Sequence, residues 1–144
     1  MSRRDTHHRE VVQALRNDQW VITDDPLVLD FAGRLVGIDL AAEKLLAAER
    51  AERRIAIEIK SFQGSSDVSE FHTAVGQFLN YRYVLGKTMP ERTLYLAIPS
   101  EAFRRSPASS RNLMFRRSFN PIGSSSWCMI HKLRRFSNGS TDAL

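Results

Sequence analysis

Two apolar, β-branched runs separated by one long helical stretch constrain this chain more than any other feature. Ile55 to Phe62 reads as a strand, and Thr93-Leu94-Tyr95-Leu96-Ala97-Ile98-Pro99 reads as a second one, buried on both faces. Between them Val68, Phe71, Val75, Phe78, Leu79 and Leu85 follow helical spacing from Asp67 to Gly86. Gly64-Ser65-Ser66 ends the first strand and offers a serine N-cap, and Gly86 is a natural residue to stop the helix. A strand, a helix and a strand close as a right-handed crossover that lays the two strands parallel, and a parallel pair needs cover on both faces. The fold class expected is α/β.

The remaining elements fit around that unit. Residues 5 to 18 read as a helix, with Asp5 or Thr6 to cap it and Val11, Val12 and Leu15 on one face. Trp20 to Thr23 is a short strand stopped by Asp24-Asp25-Pro26; Leu27 to Phe31 is a second and Leu35 to Asp39 a third, with Gly33 turning between them. Two or three adjacent antiparallel strands are implied. Leu40 to Arg53 has the composition of a helix, but the strand at Ile55 needs a neighbour, which favours a hairpin. The order α-β-β-β-β-α-β gives a mixed β-sheet flanked by helices.

After Glu101 the pattern fails. Nine of the 41 residues from Arg104 to Leu144 are serine, and the apolar residues Phe115, Phe119, Trp127, Met129, Ile130, Leu133 and Phe136 sustain no period. Residues 1–103 are therefore read as one domain, and 104–144 as a basic Ser/Arg-rich tail. The abrupt change resembles reading in another frame, so a frameshift product and a partly disordered arm are both open.

Charge follows the same boundary. The tail holds eight Lys/Arg against one acid, for +7, whereas the chain as a whole carries +5, so residues 1–103 carry −2. A basic tail can bind phosphate by counterion release, but it says little about the folded body. No apolar run reaches the roughly 18 residues of a membrane span, and Met1-Ser2-Arg3-Arg4 leads into polar sequence, so a cytoplasmic protein is expected. Cys128 is the only cysteine and has no companions at zinc-ligand spacing.

Chemistry concentrates on the first strand of the crossover. Alternation puts Glu58 and Lys60 on one face and Ile57 and Ile59 on the other, and Asp39 closes the run Leu35-Val36-Gly37-Ile38 upstream. Two carboxylates, the Ile59 carbonyl and waters suit Mg²⁺, with Mn²⁺ as the alternative, and a lysine beside such an ion orients water or holds developing charge. By itself Glu-x-Lys on a strand is more often a surface ion pair.

More accompanies it. Gly37-Ile38-Asp39, Ile57-Glu58-Ile59-Lys60-Ser61 and Gln77-Phe78-Leu79-Asn80-Tyr81 resemble, in order, the Gly-x-Asp, Glu-x-Lys and Gln-x-x-x-Tyr blocks of the PD-(D/E)xK nuclease superfamily, particularly its RecB-like branch. Gln77 and Tyr81 are one helical turn apart and share a face. Longer phrases narrow the likeness. Arg4-Asp5 with His8, Trp20 to Leu27, Ile38-Asp39-Leu40 with Ala42-Glu43-Lys44, Ala56 to Phe62, Gly76-Gln77 and Leu94 to Pro99 are together similar to the XisH family, over about residues 3 to 103. Its members are named as the fdxN element excision controlling factor of cyanobacteria.

The resemblance implies a restriction-endonuclease-like core and a role in programmed DNA rearrangement during heterocyst development, beside a site-specific recombinase and a XisI partner. It implies Asp39 and Glu58 as metal ligands, Asp39, Glu58 and Lys60 as the catalytic set, and Gln77 and Tyr81 as DNA contacts. Many relatives in the wider superfamily carry an extra glutamate on the first helix; Glu10 is available there, while the family phrase aligns best on His8. His8, Glu10 and Glu43 are thus accessory candidates. A small enzyme that handles both strands is expected to be a homodimer. Three readings stand: a Mg²⁺-dependent DNA endonuclease, a noncatalytic scaffold that binds XisI or DNA, and a structural ion-pair network.

Overall fold

The structure is a computed structural model that describes residues 3–46, 51–62, 67–105, 115–117 and 126–133. In chain order the elements are α1 (Arg3–Asn17), β1 (Val21–Asp24), β2 (Leu27–Phe31), β3 (Arg34–Ile38), β4 (Leu40–Leu46), β5 (Ala51–Ile59), α2 (Asp67–Thr88), β6 (Thr93–Pro99), α3 (Ser100–Arg105), β7 (Phe115–Arg117) and β8 (Trp127–Leu133). The result is a mixed α/β architecture: a mostly antiparallel six-stranded sheet, in the order β1-β4-β5-β6-β8-β7, flanked by helices. Its one parallel pair is β5 with β6, in the register Ile55↔Thr93 to Ile59↔Ala97, as the crossover through α2 requires.

Alternation sorts the core into two layers. Ile55 and Ile57 of β5, Leu40 and Ala42 of β4, and Tyr95 and Ala97 of β6 pack with Val11 and Leu15 of α1. Ala56, Ala41, Leu94, Leu96 and Ile98 lie on the other face with Phe71, Ala74 and Phe78 of α2, Ala102 of α3, and Leu27 and Leu29 of β2. Small side chains at Ala41 and Ala56 leave room there for the fully buried Phe78.

As the hairpin reading expects, β4 and β5 pair antiparallel from Leu40↔Ile57 to Leu46↔Ala51, with the residues 47–50 that join them outside the described residues. Helix propensity loses because Ala41 and Ala42 are wholly buried in the sheet, and burial with ladder bonds outweighs a preference of tenths of a kcal/mol per residue. Five strands therefore precede α2, not four.

The three upstream strands are not one antiparallel set. β2 and β3 form a separate two-stranded ribbon, closed by Ala32 and Gly33 with φ of 52° and 77°, the paired positive values of a tight hairpin turn. β1 skips it and pairs with β4. At the helix ends, α1 begins at Arg3, which puts Asp5 and Thr6 inside the helix rather than at its cap, since neither Arg3 nor Arg4 resists helix. α2 runs through Gly86 to Thr88; the expected cap at Gly64 to Ser66 lies outside the described residues.

The aperiodic tail contributes to the sheet. β8 pairs antiparallel with β6 from Leu96↔Ile130 to Pro99↔Trp127, and β7 pairs with β8. Trp127, Cys128, Met129 and Ile130 are all buried, because helices cover both faces at this point. A strand covered on both sides has no alternation for a period-2 search to find. Among the described residues no helix is long and apolar enough to cross a membrane.

Trp127 is 2% exposed, and its ring meets His7 of α1 edge-on with centroids 5.4 Å apart. Trp127→Ala is expected to lower the unfolding free energy by about 3–5 kcal/mol in urea titrations. An unchanged midpoint would show that β8 is no part of the core.

Candidate functional site

Where the β2–β3 ribbon rejoins the main sheet, the chain bends at Asp39. β4 starts pairing with β5 only at Leu40↔Ile57, so on that side the backbone of β5 beyond Ile57 has no strand beside it. Asp39 takes that place: its Oδ2 accepts the Ile59 N–H at 2.8 Å. In return the Asp39 N–H donates to Glu58 Oε2 at 3.3 Å. On the opposite side the Lys60 N–H donates to the Ala97 carbonyl at 3.0 Å, extending the parallel ladder one residue past β5. Lys60 Nζ then lies 3.5 Å from Glu58 Oε1.

These bonds hold two acids together in poor solvent. Glu58 is 6% exposed, the one charged residue among the buried set described. Its pKa is pushed from 4.5 to about 7, first by burial, then by the negative charge of Asp39; Lys60 and the Asp39 N–H offset part of this. Tyr81 of α2 is raised as well, by burial and then by the charges of Glu58 and Asp39, which places its hydroxyl within their field.

Asp39, Glu58, Lys60, Gln77 and Tyr81 line a single cavity of about 520 Å³. Glu70 and Thr73 complete the wall formed by α2, and sequence reading missed both. Glu70 stands seven residues before Gln77, two helical turns, so projecting the Gln77 face backward along the helix was the signal that could have found it. Gln77 Oε1 is buried and lacks a hydrogen-bond partner among the described residues.

The accessory candidates lie elsewhere. His8 Nε2 is 2.9 Å from Asp25 Oδ1, after β1, and Glu10 is exposed on α1. α1 covers the face that carries Ile55 and Ile57, opposite the one onto which Glu58 opens. Glu43 on β4 binds Arg92 at 3.1 Å and Arg54 at 3.6 Å, and Arg92 also reaches the Ile55 carbonyl at 3.2 Å. None of the three lines the cavity.

The donor set fits a hard cation that keeps much of its water. Among the described residues no three His, Cys, Asp or Glu side chains converge as a metal-holding group. The described residues build no closed zinc site, while one or two carboxylates supplemented by waters are what Mg²⁺ commonly takes. A divalent ion would also offset the burial penalty and the Asp39 repulsion that together raise the Glu58 pKa.

The XisH protein family model matches residues 1–115, twelve residues beyond the body delimited by composition. Two solved structures are similar. One, the crystal structure of a fdxN element excision controlling factor protein from Anabaena variabilis, is 45% identical, with 70% of this chain and 74% of that chain covered and a TM-score of 0.62. The other, an XisH family protein from Nostoc punctiforme, is 45% identical over 69% of this chain and 73% of its own, with a TM-score of 0.60. No curated protein matches the sequence.

The raised Glu58 pKa sets a pH dependence. Folded protein holds this proton more tightly than unfolded chain, so the contribution is fully present below pH 4.5 and is lost as pH rises to about 7. The full loss is about 3 kcal/mol. Glu58→Gln is expected to flatten this slope and to be more stable than wild type at pH 8 by about 1–3 kcal/mol, converging with it near pH 4. Urea titrations at pH 4, 6 and 8 measure this, and parallel profiles for the two proteins would refute it.

Proposed function

The chain belongs to the XisH family, and on that premise we propose that it is a DNA-element excision controlling factor whose cavity is a Mg²⁺-dependent endonuclease centre. The core is read as restriction-endonuclease-like and the site as PD-(D/E)xK. The observation that carries the reading is the reciprocal bracing of Asp39 and Glu58, with Lys60 3.5 Å from Glu58, on the wall of a cavity.

In this reading Asp39 and Glu58 hold Mg²⁺, for which Mn²⁺ can substitute, and the ion supplies a Lewis acid that polarises phosphorus and acidifies water. Lys60, on the same strand face as Glu58, orients the attacking water and holds negative charge as it develops on the phosphate. Gln77 and Tyr81, one turn apart on α2, contact the DNA backbone and fix its register. DNA is the substrate, and XisI and a site-specific recombinase are the proposed partners. A homodimer would present two such sites to the two strands.

A second reading makes the protein a noncatalytic scaffold for XisI or DNA. The −2 charge of residues 1–103 favours it, since tight nonspecific DNA binding uses a clustered basic face.

Supercoiled plasmid is expected to be nicked only with Mg²⁺ or Mn²⁺, and Glu58→Ala and Lys60→Ala to lower the rate about 10²–10³-fold each. Nicking that persists in both variants eliminates the endonuclease reading. No cleavage, with XisI capture unaffected by Glu58→Ala, selects the scaffold.

A further inference from the structure

The β2–β3 ribbon carries a glycine for which its own fold gives no reason. Gly33 answers to the turn, where φ is 77°, but Gly37 in β3 lies outside the left-handed region, and a Cβ at this position would meet no atom of the described residues within 4 Å. Glycine inside a strand weakens it, because the unfolded chain keeps more freedom and no side chain packs against the neighbouring strand. Neither backbone geometry nor crowding compensates here. What sets Gly37 apart is its place: it is the only glycine among the described residues that line the cavity. A bare strand position beside a cavity is where the backbone of a ligand can come close.

The outer face of the ribbon leads to the same spot. Leu27, Leu29 and Ile38 are buried in the core, so alternation turns Val28, Asp30, Leu35 and Gly37 outward, with Val28 across from Gly37 and Asp30 across from Leu35. Val28 is 54% and Leu35 76% exposed, so two aliphatic side chains flank a bare strip of backbone on the cavity wall. A second copy of the chain is poorly served by this face, since two side chains fall far short of the roughly 800 Å² that each partner buries in a stable interface. Duplex DNA is poorly served as well: it turns phosphates outward and encloses its base faces, and these four residues include an acid and no Lys or Arg. An unpaired strand fits better, because its base faces are apolar and open and its backbone is flexible enough to follow the ledge.

We infer that the outer face of the β2–β3 ribbon is the entry track for an unpaired nucleic-acid strand, whose bases lie against Val28 and Leu35 while its backbone crosses Gly37 into the cavity. The inference rests on the proposed function and deepens it, naming the substrate class as single-stranded or locally opened nucleic acid. A side chain at position 37 would stand in the path of that strand. Gly37 and Leu35 decide what enters and take no part in the chemistry.

The test uses the full chain in Ca²⁺ and compares, by anisotropy, a fluorescent single-stranded oligonucleotide with its duplex at about 200 mM salt, where phosphate contacts made by the basic tail are weakened. Wild type is expected to bind the single strand about tenfold more tightly than the duplex, and Gly37→Val and Leu35→Gln each to lower single-strand affinity about five- to tenfold, the effect of losing a base contact. Gly37→Val is expected to keep or raise the urea midpoint, since valine suits a strand and has room there; where the midpoint falls instead, Gly37→Ala carries the comparison. Lys60→Ala reports on the cavity. If Lys60→Ala binds more weakly while Gly37→Val or Leu35→Gln binds as wild type does, the inference is overturned and the site reading stands. Equal affinity of wild type for single strand and duplex overturns it too, as does sedimentation of wild type as a dimer and Leu35→Gln as a monomer, which gives the face to a second copy. If wild type binds neither form, or none of the variants alters binding, the track and the DNA-cleaving site fall together.

Discussion

The hydrogen bond from the Ile59 N–H to the Asp39 carboxylate is the interaction around which this molecule is organised. β5 outlasts β4 by two residues, and its backbone there would face the protein without a partner. A buried unpaired N–H costs on the order of 1–3 kcal/mol. The carboxylate supplies the missing acceptor from a bend, not a strand, and so fixes where the β2–β3 ribbon leaves the sheet. It also brings an acid next to Glu58. One backbone requirement thus assembles the centre of the site.

That assembly works against the stability of the protein. Glu58 is buried beside a like charge, and neither Lys60 nor the Asp39 N–H compensates fully, as its pKa near 7 records. Gln77, which lines the same cavity, has its Oε1 buried with no donor among the described residues. Away from the cavity Arg92 reaches the Ile55 carbonyl and Glu43, tying the loop before β6 to β4 and β5, although its Nε and His7 Nδ1 are buried without a hydrogen-bond partner among the described residues. The one carboxylate held well above its ordinary pKa among the described residues is thus in this cavity, where a ligand can supply what the protein leaves unmet.

Legibility followed covalent distance. The crossover β5-α2-β6 was readable because each part repeats on its own period, and the hairpin at Leu40 to Arg53 because a lone strand needs a neighbour. Pairing of β1 with β4 around the ribbon was not, since two short strands next to one another in sequence normally pair and nothing local forbids it. β8 escaped notice because burial on both faces removes alternation from Trp127 to Ile130. Within the site, period 2 put Glu58 and Lys60 on one face, while Gln77 and Tyr81 were singled out by the motif that they resemble, with helical spacing adding only that they share a face. Glu70 obeyed the same helical rule and was overlooked because no motif pointed to it.

By itself the sequence determined which side chains share a face. Strand alternation set Glu58 and Lys60 against Ile57 and Ile59, helical spacing aligned Gln77 with Tyr81, and the order strand, helix, strand imposed a parallel pair. These are properties of contiguous residues, governed by the same backbone geometry in any fold. Tertiary structure alone decided which faces meet. It put Asp39 against the end of β5, turned the Glu70 wall of α2 toward both carboxylates, and left His8 and Glu10 on the helix across the sheet. Such meetings depend on burial and backbone pairing between residues a dozen or more apart, where local periodicity carries no information about which surface finds which.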